Sequence, residues 1–101
     1  MISREELISG TERLLTGECE FITAEMVRRD FIDTVIERAI QNGYSIRVVI
    51  FVYDEIVAVI TQPHNWYSMK EELHLFLPHI VIDRLDMRTI EIRIYLSPTY
   101  P

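Results

Sequence analysis

SIRVVIFVYDEIVAVITQ, residues 45–62, is apolar on both sides of an extended chain. Its alternation has a period of two and it is dense in Val, Ile, Phe and Tyr, which reads as strand. Asp54-Glu55 is the only turn candidate within it. A two-residue loop there sets Tyr53 opposite Ile56, Val52 opposite Val57, Phe51 opposite Ala58 and Ile50 opposite Val59. One face of the hairpin then holds Ile46, Val48, Ile50, Val52, Val57 and Val59. The other holds Arg47, Val49, Phe51, Tyr53, Ile56, Ala58 and Ile60. Neither face is polar, and one layer of helices covers only one side of a sheet. The second face requires a crossing helix or a partner.

Outward from this run, the ends of the chain carry local folding signals. Ser3 and Glu6 form a capping box, with Ile2 and Leu7 at staple positions, so a helix opens there. Leu7, Ile8, Thr11, Leu14 and Leu15 repeat at helical spacing, and Gly17 suits the left-handed stop, which places the helix at 4–16 with Gly10 as its weak point. Thr23 is read as the cap of a second helix with the stripe Met26, Val27, Phe31, Ile32, Val35, Ile36, Ala39 and Ile40, ended by Asn42-Gly43. On its outer face, Glu25 with Arg29 and Arg29 with Asp33 stand four residues apart. Ser68 and Glu71 make a further capping box, opening a short helix that Pro78 closes and whose inward stripe is Met69, Leu73, Phe76 and Leu77. From His79 to Leu96 two strands flank a turn near Leu85-Asp86-Met87. Ile90, Ile92, Ile94 and Leu96 face in, and Thr89, Glu91, Arg93 and Tyr95 face out. The tail from Ser97 to Pro101 is expected to be loose. The expected fold is α+β: two N-terminal helices, then two hairpins forming a four-stranded antiparallel sheet, with a short helix between the hairpins.

The composition narrows the function classes. With 101 residues, residues 1–101 are read as a single domain. Sixteen acidic against ten basic side chains give a net charge of −6, which disfavours attraction to phosphate backbones and anionic lipids. Nine of the ten basic residues are arginine, suited to planar contacts with carboxylates and rings. Cys19 is the only cysteine, which rules out an intramolecular disulfide and fits a reducing cytoplasm. MISREELISG at the N-terminus, charged and without an apolar run, is not expected to act as a secretory signal, and Arg47, Asp54 and Glu55 interrupt the longest apolar stretch.

Several groups could carry chemistry. His64, His74 and His79 are close in sequence, with Glu71 three residues before His74, yet they lack the paired-ligand spacing of zinc sites. Asp83 with Glu91 and Arg93 across a hairpin offers the acidic pair and cation of a metal-dependent phosphodiesterase. Glu18 and Glu20 flank Cys19 and oppose a thiolate there. Arg84, Arg88 and Arg93 are the nearest thing to a basic patch, with Asp83, Asp86 and Glu91 interleaved. Trp66-Tyr67 after a proline-containing loop is either an anchor for a partner or a plug for the end of the core. The chain has no glycine-rich phosphate loop.

These readings favour a non-enzymatic, cytoplasmic interaction protein without metal or cofactor: a small acidic inhibitor, immunity, antitoxin-like or adaptor protein that binds and blocks a macromolecular partner. The partner is expected to be a protein, with a homodimer as the simplest assembly, and nucleic acid and membrane are disfavoured. The expected interface is Arg47, Val49, Phe51, Tyr53, Ile56, Ala58, Ile60, Trp66 and Tyr67. The alternative is a nuclease-like phosphodiesterase using Asp83, Glu91 and Arg93.

Overall fold

In the computed structural model, which describes residues 2–96, the 45–62 run turns back one residue earlier than expected. Tyr53 (φ 49°) and Asp54 (φ 66°) both take left-handed backbone, the paired conformation whose twist suits a tight hairpin even without glycine. Strands β2 (Ser45–Val52) and β3 (Glu55–Ile60) therefore pair Val52 with Glu55 and Phe51 with Ile56. Val57 is then left over as a bulge, and pairing resumes as Ile50 with Ala58, Val49 with Val59 and Val48 with Ile60. A one-residue change of register moves side chains to the opposite face. Ala58 and Ile60 thus belong with Val48 and Ile50, not on the outer face, and Val59 takes the outward place beside Val49. This register buries Ile60 in the same cluster as Trp66.

Helix α1 (Arg4–Leu15) follows its sequence signals: the Ser3 hydroxyl accepts from the Glu6 backbone N–H at 3.1 Å. Gly17, at φ 83°, ends it, and Glu18 N–H reaches back to the Arg13 carbonyl at 2.9 Å. The residues after it depart from expectation. Phe21–Arg28 forms strand β1, which runs directly into helix α2 (Arg29–Gln41). Glu25 is therefore in a strand and does not face Arg29 across a helix turn. Met26 has φ 54°, and the ladder with strand β4 (Phe76–Arg84) skips Met26 and Pro78. Proline offers no N–H to a ladder, and the kink reverses the alternation: Ala24 is buried before it and Val27 after it.

Pro78 consequently lies inside a strand and does not end a helix. The short helix comes earlier, as α3 (Pro63–Met69), continued by a 3₁₀ turn at Lys70–Glu72. Phe76 and Leu77 belong to β4. Strand β5 (Thr89–Tyr95) pairs antiparallel with β4, as the hairpin reading expected. It also pairs in parallel with β2, from Ser45 with Thr89 to Phe51 with Tyr95. Among the described residues the result is α+β with three α-helices and one five-stranded mixed sheet, in the order β1-β4-β5-β2-β3, in place of a four-stranded antiparallel one.

The helices share one side of this sheet. Leu7 and Leu14 of α1, Ile32, Val35, Ile36 and Ala39 of α2, and Trp66 of α3 form one cluster with Val48, Ile50, Ile80, Ile82, Ile90, Ile92 and Ile94. No helix among the described residues is long and apolar enough to cross a membrane. Asp33 ties α2 to α3, taking the Trp66 indole N–H at 2.7 Å on one oxygen and the Lys70 ammonium on the other. Arg29 donates to the Lys70 and Leu73 carbonyls at 2.7 and 2.5 Å, satisfying the end of the 3₁₀ turn. Neither residue belongs to a helix-surface charge ladder. The tail from Ser97 to Pro101 lies outside the described residues.

Two outcomes test this packing. Asp54→Gly should raise stability by up to about 1 kcal/mol, because glycine takes left-handed backbone without the Cβ clash; thermal or denaturant unfolding reads it. The hydrogen bond with Asp33 raises the Lys70 pKa from its ordinary 10.5 despite opposing desolvation, and burial followed by Glu37 raises that of Tyr67 from 10.0. Both groups hold their protons more tightly folded than unfolded, so their contribution is complete below those ordinary values and falls as pH rises past them. Lys70→Met with Tyr67→Phe should flatten the decline in stability above about pH 10, measured by urea unfolding across that range.

Candidate interaction surface

The side of the sheet opposite the helices is built by every second residue of the central strands. β2 supplies Arg47, Val49 and Phe51, β5 supplies Glu91, Arg93 and Tyr95, and β4 supplies His79, Val81 and Asp83. Although no helix among the described residues covers it, its centre is dry. Val49 is 3% exposed and Glu91 8%. Neighbouring side chains do the covering. Phe51 and Tyr95, partners in the parallel register, stack with ring centroids 4.8 Å apart and planes 12° apart, and the His79 ring lies 5.7 Å from Tyr95.

Charges pair across the same strands. Arg93 donates to Glu91 at 2.8 Å and to Asp83 at 3.4 Å, and the Arg47 guanidinium lies 3.5 Å from the other oxygen of Glu91. Burial works against the Arg93 charge, but hydrogen bonds with Glu91, Tyr95 and Asp83 outweigh it and leave its pKa raised. The structure does bring Asp83, Glu91 and Arg93 together, since Asp83 and Glu91 are register partners. Their arrangement is an ion-pair network in which one guanidinium spans both carboxylates.

The other groups singled out in the sequence disperse. Arg88 sits in the β4–β5 turn, where its backbone N–H donates to Asp86 at 2.7 Å and holds that carboxyl below its usual range. Arg84 ends β4 beside Gly17, so the three arginines do not form one patch. His64 is in α3, His74 in the loop before β4, and His79 on the open face. Among the described residues no three His, Cys, Asp or Glu side chains gather as a metal-binding group. Cys19 packs partly buried against the core. Trp66 is fully buried and Tyr67 half-buried beneath Lys70, whose ammonium lies 5.5 Å from the ring; both are on the helix side, away from the outward hairpin residues.

Exposed apolar surface concentrates at β3, the strand at one edge of the sheet. Ile56 is 57% exposed, Val57 58% and Val59 50%, with Tyr53 exposed beside them at the turn. The bulge keeps both Ile56 and Val57 out of the core, enlarging the outward apolar set. Alternation about a turn at Asp54-Glu55 hides Val57 and Val59 as surface residues; the signal that would find them is left-handed backbone at Tyr53-Asp54, at which only the Asp hints.

Arg93→Met should destabilise the fold by about 1–3 kcal/mol by leaving Glu91 buried without its closest partner. Adding Glu91→Met should recover much of that loss, because an apolar pair needs no compensation for desolvation. Denaturant unfolding of the single and double variants measures the recovery.

Compared with protein-family models, curated proteins and solved structures, the chain gives no significant match to any of them, so a role must be argued from this surface.

Proposed function

We propose that the protein is a non-enzymatic interaction module, in the manner of a small acidic inhibitor, immunity, antitoxin-like or adaptor protein, which acts by binding and blocking a partner protein through the outward side of the β2–β3 hairpin. The observation that carries this reading is the exposure of Ile56, Val57 and Val59 together on an edge strand, on the side of the sheet without helices. Contiguous apolar surface of this kind on a small fold marks an association site. Phe51 continues the surface inward over the buried Val49, with Arg47 and Tyr53 at its margin, as an apolar centre with a polar rim. The central carboxylates are engaged by Arg93 and Arg47, which suits a surface that holds its shape.

The reading separates side chains that serve folding from those that serve binding. Ile56→Asp with Val59→Asp should leave the protein folded and cost no more than about 1 kcal/mol per site, because at least half of each side chain is already in water. The same double variant should lose the partner retained by the wild type in parallel affinity captures from the source cells. Retention of the same protein by both forms contradicts the proposal, as does a variant that unfolds.

A further inference from the structure

We infer that the surface receives its partner as an added β-strand along β3, and that this strand is an extended segment alternating apolar with Lys or Arg residues. The inference rests on the interaction-module reading and adds the geometry and chemistry of the occupant.

Among the described residues β3 pairs only with β2, so the backbone on its other side has no described strand beside it. Ala58, Val59 and Ile60, three consecutive residues, line one groove together with Asn65, Ser68 and Met69 of α3 and Glu72 of the 3₁₀ turn. Consecutive strand residues point to opposite faces, and they share a groove only along the backbone edge. The groove, of about 480 Å³, is therefore a shallow slot, widely open to solvent, bordered by a strand edge on one side and a helix on the other. An added strand fits such a slot by main-chain hydrogen bonds, with alternate side chains entering it.

The two edges of the sheet differ in how they are protected. β1 carries Glu25 and Arg28, and its left-handed Met26 breaks the ladder, which are the usual means of blunting an edge. β3 reads EIVAVI, with no lysine or proline and its one charge at the turn end. Its bulge lies next to that turn, leaving Ala58 to Ile60 regular.

Charge selects the occupant. Asp54 and Glu55 stand at one end of the edge and Glu72 at the groove, and among the described residues none of the three has an ion pair. The nearby cations are engaged: Lys70 with Asp33, Arg29 with Glu71 and Arg47 with Glu91. A second copy of this chain would bring the same negative groups to the edge, whereas a basic strand complements them.

The test uses the whole chain and labelled peptides of about ten residues. One alternates valine and lysine, a second alternates valine and glutamate, and a third is the valine–lysine peptide with prolines in place of alternate valines. Anisotropy should show the valine–lysine peptide binding at least about tenfold more tightly than either control, with slowed amide exchange at residues 58–60. Glu72→Lys should weaken that binding by a comparable factor. Equal binding of the proline peptide, no binding of any peptide, or a dimer of the protein alone that protects residues 58–60 overturns the inference. If cellular capture is lost in the Ile56→Asp, Val59→Asp variant while bound partner leaves the 58–60 amides unprotected, strand addition fails and the interaction surface stands. If capture is unchanged in that variant, the broader reading fails.

Discussion

The parallel pairing of β2 with β5 is the interaction on which the rest of the molecule depends. It joins two antiparallel halves, β1-β4-β5 on one side and β2-β3 on the other, into a single sheet. It places Ile46, Val48 and Ile50 beside Ile90, Ile92 and Ile94, so that one continuous apolar layer faces the helices. By the same register it sets Phe51 against Tyr95 and Arg47 beside Glu91 on the opposite side. And it leaves β3 with one neighbour only among the described residues, which makes that strand an edge.

Because the helices lie on one side, the two sides of the sheet are stabilised differently. The helix side is an ordinary hydrophobic core whose polar outliers are matched, as Asp33 is by Trp66 and Lys70. The open side relies on the sheet's own side chains: a stacked ring pair and a guanidinium spanning two carboxylates shield Val49 and Glu91. That shielding fades at β3, where no outer neighbour among the described residues helps cover Ile56, Val57 and Val59. The apolar hairpin of the sequence thus resolves into a shielded strand and an unshielded one.

What the sequence revealed was whatever is encoded locally. The start of α1 at Ser3, its stop at Gly17, the stop of α2 at Asn42-Gly43 and the alternation of β5 are each set by neighbours along the chain, and each appears where it was read. Thr23 to Val27 fits the cap and first turn of a helical stripe as well as a strand, and pairing with β4 decides between them, with Met26 absorbing the conflict in a left-handed turn of the backbone. Ser68 and Glu71 looked like a cap but lie at the end of α3 and in the 3₁₀ turn. The parallel β2–β5 pair joins segments far apart in the chain, and nothing local announces it. Of the open face, Arg47, Phe51, Tyr53 and Ile56 were legible from alternation alone, as was the place of Val49, which its neighbours bury, whereas Ala58 and Ile60 changed places with Val57 and Val59 because an unusual tight turn shifted the register by one.

The account stands or falls on which side chains of β3 face water. Methyl NMR of the isolated chain with a soluble paramagnetic agent measures this residue by residue. Strong attenuation at Ile56, Val57 and Val59, with Val48, Ile50 and Ile60 unaffected, is the result the structure predicts. Protection of Val59 together with attenuation of Ile60 would mean the opposite register and would contradict both the open face and the edge assigned to it.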